Sequence, residues 1–142
     1  MNAMQTLPRL IETQRNDTAA EITRRILGSI VGNRSLKRLH VRLWDGSHWP
    51  DEAPRDATLV LNRPSALREM LLEGTEAALG SAFLHEAFDI EGDTEAVFEL
   101  GDLILASTEG GWSKKLKLGY LLHQLPDDTL SDHDHHLRSA TL

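Results

Sequence analysis

The segment LGSAFLHEAFDIEGD, residues 79–93, decides the fold that the sequence predicts. It reads as a short apolar helical turn, then an extended stretch, then a Gly-Asp pair that starts another helix. Asp93 suits the N-cap, because its carboxylate can accept hydrogen bonds from the free amides of the first helical turn. Gly92 permits a backbone turn that a side chain would resist. We therefore expect a helix from Thr94 to Ser107.

The residues before this segment predict a helix and a hairpin. Thr18 to Glu21 has the spacing of a capping box, and an apolar stripe at helical spacing follows until Gly32. Residues 39–43 alternate between apolar and polar side chains, which is typical of a strand with one buried face. Asp45-Gly46 then predicts a hairpin, because both residues tolerate a positive φ. A second strand should begin near Ser47.

Three further elements complete the predicted fold. Ala57 to Leu61 reads as a third strand, and Pro64 suits the first turn of a helix that runs to about Glu73. Trp112 to Leu125 has helical spacing, and Pro126 ends it. This order of elements predicts an α+β fold, with a small antiparallel or mixed sheet packed with helices.

The length of 142 residues indicates one domain with a core of its own. We expect a flexible N-terminus at residues 1–16, the folded domain at residues 17–126, and a flexible acidic and histidine-rich tail at residues 127–142.

Composition excludes several classes of protein. The chain contains no cysteine, which excludes disulfides, thiol chemistry and cysteine-ligated zinc. A net charge of −7 argues against a nucleic-acid partner, which needs a basic face. No apolar run has the length of a membrane span, and the first residues lack the apolar region of a signal peptide. A cytoplasmic protein is the expectation.

Three pieces of the chain resemble the N-terminal domain of cyclopropane-fatty-acyl-phospholipid synthases. They are residues 41–46, residues 59–72 and residues 80–93, and the similarity covers residues 39–106. The resemblance implies a lipid-binding fold like that of sterol carrier proteins. It also implies a phospholipid or fatty acyl chain as ligand, with a separate methyltransferase chain or a second copy of this chain as protein partner. Residence at the periphery of the inner membrane would follow.

The catalytic half of that family has no counterpart in these residues. It would bring a glycine-rich S-adenosylmethionine-binding loop and a bicarbonate site built around a cysteine. We therefore predict no catalytic residue, no cofactor and no methyl transfer by this chain alone. Two alternatives to a lipid-binding accessory domain stay open. One is the N-terminal fragment of a full synthase, and the other is a purely structural dimerisation module.

Two sets of residues are candidates for lipid contact. In a lipid-carrier fold an apolar cavity could be walled by Phe83, Leu84, Phe88, Phe98 and Leu103, although the same side chains could simply fill the core. A basic and apolar helix suits an anionic membrane surface. Its candidate residues are Trp112, Lys114, Lys115, Lys117 and Tyr120, with Leu118, Leu121, Leu122 and Leu125 on one face. Docking of that face on the core or on a partner is the alternative.

The histidines are expected to be ordinary surface residues. Residues 132–136 form the densest cluster of metal-ligand side chains, but a polar terminus supplies no fixed geometry, so we predict no metal site. His40, on the polar face of the first strand, and His48, in the hairpin, should be solvated. His85 and Glu86 could suggest general acid–base catalysis, but side chains adjacent on a helix diverge and no nucleophile is evident. We therefore expect both to be exposed.

Overall fold

Helices pack against one small mixed sheet in the computed structural model, which describes residues 3–32, 34, 36–108 and 112–127. The elements are α1 (Ala3–Val31), β1 (Leu39–Arg42), β2 (His48–Trp49), β3 (Ala57–Leu61), α2 (Ala66–Leu71), α3 (Glu76–Leu84), β4 (Phe88–Gly92), a 3₁₀ turn (Thr94–Ala96), α4 (Val97–Thr108) and α5 (Trp112–Gln124). This architecture confirms the predicted α+β class.

The four strands lie in the order β2-β1-β3-β4. β1 and β3 are parallel, whereas β2 pairs with β1 and β4 pairs with β3 in antiparallel fashion. In this register Val41 lies beside Leu59, and Leu59 lies beside Ile90. Because side chains alternate along a strand, these residues share the face that is turned to the core. The outer face carries His40, Arg42, Thr58 and Glu91 in the same way.

The core forms where the helices cover the inner face of the sheet. α1 contributes Ile26 and Leu27, α4 contributes Leu100 and Leu103, and α5 contributes three leucines, all within one cluster of buried side chains. α5 packs against α1, α2 and α4. Its leucine face is therefore part of the core.

The Gly-Asp pair at the end of β4 performs the predicted role. Asp93 Oδ1 accepts from the backbone amide of Glu95 at 3.0 Å, and Asp93 Oδ2 accepts from Arg38 Nη2 at 2.9 Å. Gly92 has a φ of +87°, and a Cβ at this position would lie 2.3 Å from the carbonyl oxygen of Asp56. The helix begins as predicted, with a 3₁₀ first turn.

Two predicted helix starts were wrong. α1 begins at Ala3, so the capping-box pattern at Thr18 lies inside the helix, and residues 3–16 of the expected flexible N-terminus have helical backbone. Most side-chain types in this stretch are good helix formers, and a single proline outweighed them in the prediction. α2 begins at Ala66 behind Ser65 rather than at Pro64.

Candidate functional site

α5 has two faces of opposite character. Leu121, Leu122 and Leu125 are buried in the core. On the other side of the helix Leu116 and Tyr120 each keep 66% of their surface exposed. Residues four apart lie on the same side of a helix, so these two side chains form one outward apolar strip. We call this strip, together with the exposed Lys115 and Lys117, the outer face of α5.

The predicted membrane residues divide accordingly. Lys115, Lys117 and Tyr120 are exposed as the prediction requires. Trp112 and Lys114 lie in the first turn of α5, and their side chains are outside the described residues. The prediction that the leucine face enters the membrane boundary was wrong, because the core buries Leu121, Leu122 and Leu125. The alternative, docking of that face on the core, is what the structure shows. No helix in the described part of the chain has the length and apolarity to cross a membrane.

The five predicted wall residues of a lipid cavity do not surround a common space. The rings of Phe83 and Phe88 contact each other, with centroids 5.6 Å apart. Leu103 is buried in the core, Leu84 is half-buried, and Phe98 is 73% exposed. Ala96 and Leu100 face the core, and Phe98 lies about 200° around the helix from each of them. The expectation that Phe98 lines an interior cavity was therefore wrong.

A cleft opens elsewhere, between α2, α3 and the segment after α5. Its volume is about 470 Å³. Its charged and polar lining consists of Arg68, Glu69, Glu73, Ser81, His85 and Asp127. The apolar lining consists of three alanines of α3 and of Leu72, which follows α2. None of the predicted lipid-binding residues lines it. Sequence reasoning missed this cleft because its walls come from three separate segments.

Two of the charged residues in the cleft already make several contacts within the protein. Arg68 Nη1 donates to the carbonyl oxygens of His123, at 3.2 Å, and Leu125, at 3.0 Å, and its Nη2 lies 3.6 Å from Asp127. A cation at this position stabilises the carboxyl end of α5. Glu69 accepts two hydrogen bonds from Arg63, at 2.7 and 2.8 Å, and a third from the Ser65 hydroxyl at 2.7 Å.

Glu73 and His85 keep hydrogen-bonding capacity toward the cleft, and the Ser81 hydroxyl lies 3.4 Å from His85 Nδ1. His85 Nδ1 lies 2.8 Å from the carbonyl oxygen of Ser81. A carbonyl oxygen only accepts, so Nδ1 carries the proton and Nε2 of the neutral ring is an acceptor. The His85 ring contacts the backbone of its own helix and is half-buried. The expectation of an exposed imidazole was therefore wrong. The exposed carboxylate of Glu73 has no hydrogen bond or ion pair within the part of the chain that the structure describes.

The histidines of the sheet are also less solvated than predicted. His40 is only 8% exposed, its Nε2 lies 2.7 Å from Thr58 Oγ1, and its ring centroid is 4.6 Å from that of His48. Burial lowers the pKa of His40, and the neighbouring His48 and Arg55 lower it further. His48 Nδ1 in turn lies 2.5 Å from Glu52 Oε2. Strand alternation placed His40 correctly but did not indicate that His48 covers it.

Metal-ligating side chains do not converge in residues that the structure describes. The tail cluster at residues 132–136 is outside those residues. A scan against protein-family models finds no family that matches the chain. A search of curated proteins likewise finds no similar protein.

Proposed function

We propose that this domain is a non-catalytic lipid-binding accessory domain, related to the N-terminal domain of cyclopropane-fatty-acyl-phospholipid synthases. It contacts the cytoplasmic surface of a phospholipid membrane through the outer face of α5. Methyl transfer is the task of a separate methyltransferase chain or domain. The observation that carries the proposal is an apolar strip, Leu116 and Tyr120, which the fold leaves exposed between lysines.

The chemistry of this face suits the boundary between water and lipid. Leucine and tyrosine side chains enter the headgroup region favourably, and tyrosine keeps its hydroxyl in the polar layer. Each lysine near an anionic surface adds about 1 kcal/mol of attraction. The net charge of −7 opposes that attraction at longer range. Binding should therefore be reversible and of modest affinity.

Surface contact also agrees better with the packing than an enclosed acyl chain does. Phe88 and Leu103 are buried within the core cluster, and Phe83 packs against it. The described cleft carries four charged residues, which suits an acyl chain poorly. The proposed domain accordingly presents membrane phospholipid to a catalytic partner rather than extracting a chain from the bilayer.

Vesicle co-sedimentation tests the proposal. The protein should bind vesicles that contain anionic phospholipid, and binding should weaken as salt screens the lysines. Changing Leu116 and Tyr120 together to serine, or Lys115 and Lys117 together to glutamine, should reduce binding severalfold. Phe98→Ser is the matched control, because Phe98 is at least as exposed but lies on α4. Binding that neither double variant reduces would contradict the proposal.

A second candidate, a dimerisation module, is favoured by Phe98 alone. A phenylalanine with 73% of its surface exposed is the kind of side chain that a subunit interface buries. Light scattering during gel filtration over a range of protein concentrations would test it. A dimer that Phe98→Ser converts to a monomer would support this function, and a monomer at all concentrations would exclude it.

A further inference from the structure

We propose that the cleft between α2, α3 and Asp127 binds a primary ammonium group, and that its source is the ethanolamine headgroup of a phospholipid. The choice of a lipid headgroup rests on the function proposed above. The ammonium itself is inferred from the residues that line the cleft. The resemblance did not predict this cleft, and none of its lining residues belongs to the outer face of α5.

The first argument concerns hydrogen-bonding capacity. Once the internal contacts are subtracted, the groups that remain are the Glu73 carboxylate and His85 Nε2, together with the Ser81 hydroxyl, which has one internal contact, 3.4 Å from His85 Nδ1. The first two can only accept, and a hydroxyl can do either. A ligand that complements them must bring several donors on a small group, and a primary ammonium brings three.

The second argument concerns charge. Arg68 is the cation among the described lining residues, and it already contacts Asp127 and two carbonyl oxygens. Glu69 is 5% exposed and balanced by Arg63. Among the described residues, no cation pairs with Glu73, which leaves its negative charge at the cleft uncompensated by them. An ammonium group would neutralise it, whereas the phosphate of the same headgroup finds no free cation there and remains in solvent.

The third argument concerns shape and position. A volume of about 470 Å³ accommodates a small polar molecule, and Leu72, Ala78 and Ala82 offer apolar contact for its methylene groups. Asp127 lines the cleft three residues after α5 ends at Gln124. The cleft therefore adjoins the helix that carries the proposed membrane contact.

Titration with soluble headgroups tests the inference, with chemical shifts of the backbone amides as the readout. Glycerophosphoethanolamine should shift the amides of Glu73, Ser81 and His85 in a saturable manner. Glycerophosphocholine, whose quaternary ammonium has no N–H, should bind at least severalfold more weakly. Equal binding of the two compounds, or no saturable shift with glycerophosphoethanolamine, would overturn the proposal.

A matched pair of variants locates the site. Glu73→Gln should weaken binding of glycerophosphoethanolamine roughly tenfold, because a charge-assisted hydrogen bond is lost. Glu76→Gln removes the same charge from α3 outside the cleft lining and should leave binding unchanged. Equal losses in the two variants would mean that net charge alone attracts the ligand, and would overturn the site.

Two further comparisons are needed. One distinguishes a lipid headgroup from a free amine as the ligand, and the other distinguishes this inference from the proposed membrane contact of α5. Ethylammonium that binds more tightly than glycerophosphoethanolamine would overturn the lipid headgroup as the source. Glu73→Gln should leave sedimentation with anionic vesicles free of ethanolamine lipid unchanged, since that binding depends on the outer face of α5. Failure of headgroup binding with intact vesicle binding would remove this inference alone.

Discussion

The two faces of α5 present leucine to opposite environments. On the inner face, Leu121, Leu122 and Leu125 are buried and hold the helix against α1 and α4. On the outer face, Leu116 and Tyr120 are two-thirds exposed and touch little of the domain. The inner leucines stabilise the fold, because apolar burial is its main source of stability. The outer pair is a surface available for an external contact.

The largest expected effect comes from the inner face. Leu122→Ala should lower the free energy of unfolding by about 2–5 kcal/mol, because it removes a nearly fully buried side chain and leaves a cavity. Leu116→Ala, the same change on the outer face, should alter it by no more than about 0.5 kcal/mol. Urea denaturation of both variants measures the contrast. Similar losses of unfolding free energy in the two variants would contradict the distinction between a buried and an exposed face of α5.

A smaller effect is expected at the cap of α4, which supports the inner face of α5. Asp93→Ala should cost about 1 kcal/mol, because the Glu95 amide loses its acceptor. The same change also removes the ion pair with Arg38. Asp102→Ala is the control, since Asp102 is an exposed carboxylate within α4. An unchanged denaturation midpoint for Asp93→Ala would mean that the cap does not stabilise this helix.

The smallest expected change in stability concerns His40, on the outer face of the sheet. The folded protein holds the pKa of His40 below its ordinary value of 6.5, chiefly through burial. The unfolded chain therefore binds the proton more tightly, and stability should fall as pH drops from about 6.5 through the lower folded pKa.

Denaturation at about pH 7.5 and at about pH 5 measures this dependence. His40→Gln, which keeps a polar group beside Thr58, should show a smaller loss between the two pH values. His85→Gln is the control, because His85 lies at the end of α3 and lines the cleft rather than the sheet. An equal loss in His40→Gln and the unchanged protein would show that His40 does not cause the pH dependence.

The elements that the sequence predicted well depend on local chemistry. Ala57 to Leu61 forms β3 with the predicted bounds, because a short run of mostly apolar residues between flanking turns is visible in adjacent residues. Gly92 and Asp93 form the predicted turn and cap for the same reason. The start of α1 was missed, since helix propensity over a long stretch competes with a single proline.

The features that were missed depend on contacts between distant segments. The cleft needs α2, α3 and Asp127 to meet, and no local pattern indicates that meeting. His40 is covered by His48 across the hairpin, although the alternation of apolar and polar residues in β1 predicted that His40 would be exposed to solvent. Helical spacing showed that the leucines of α5 share a face, but only the packed fold shows that this face is buried and that Leu116 is not.

Depth measurement with a spin label tests the central claim most directly. The chain has no cysteine, so a nitroxide can be attached at a single introduced site without competing thiols. Leu116→Cys places it on the outer face of α5, and Phe98→Cys places it on α4 as the exposed control. With anionic vesicles, the label at position 116 should become accessible to oxygen dissolved in the bilayer and protected from an aqueous paramagnetic reagent. The label at position 98 should remain in water. A label at position 116 that stays as accessible to the aqueous reagent as the control, while the protein is bound to vesicles, would contradict the account.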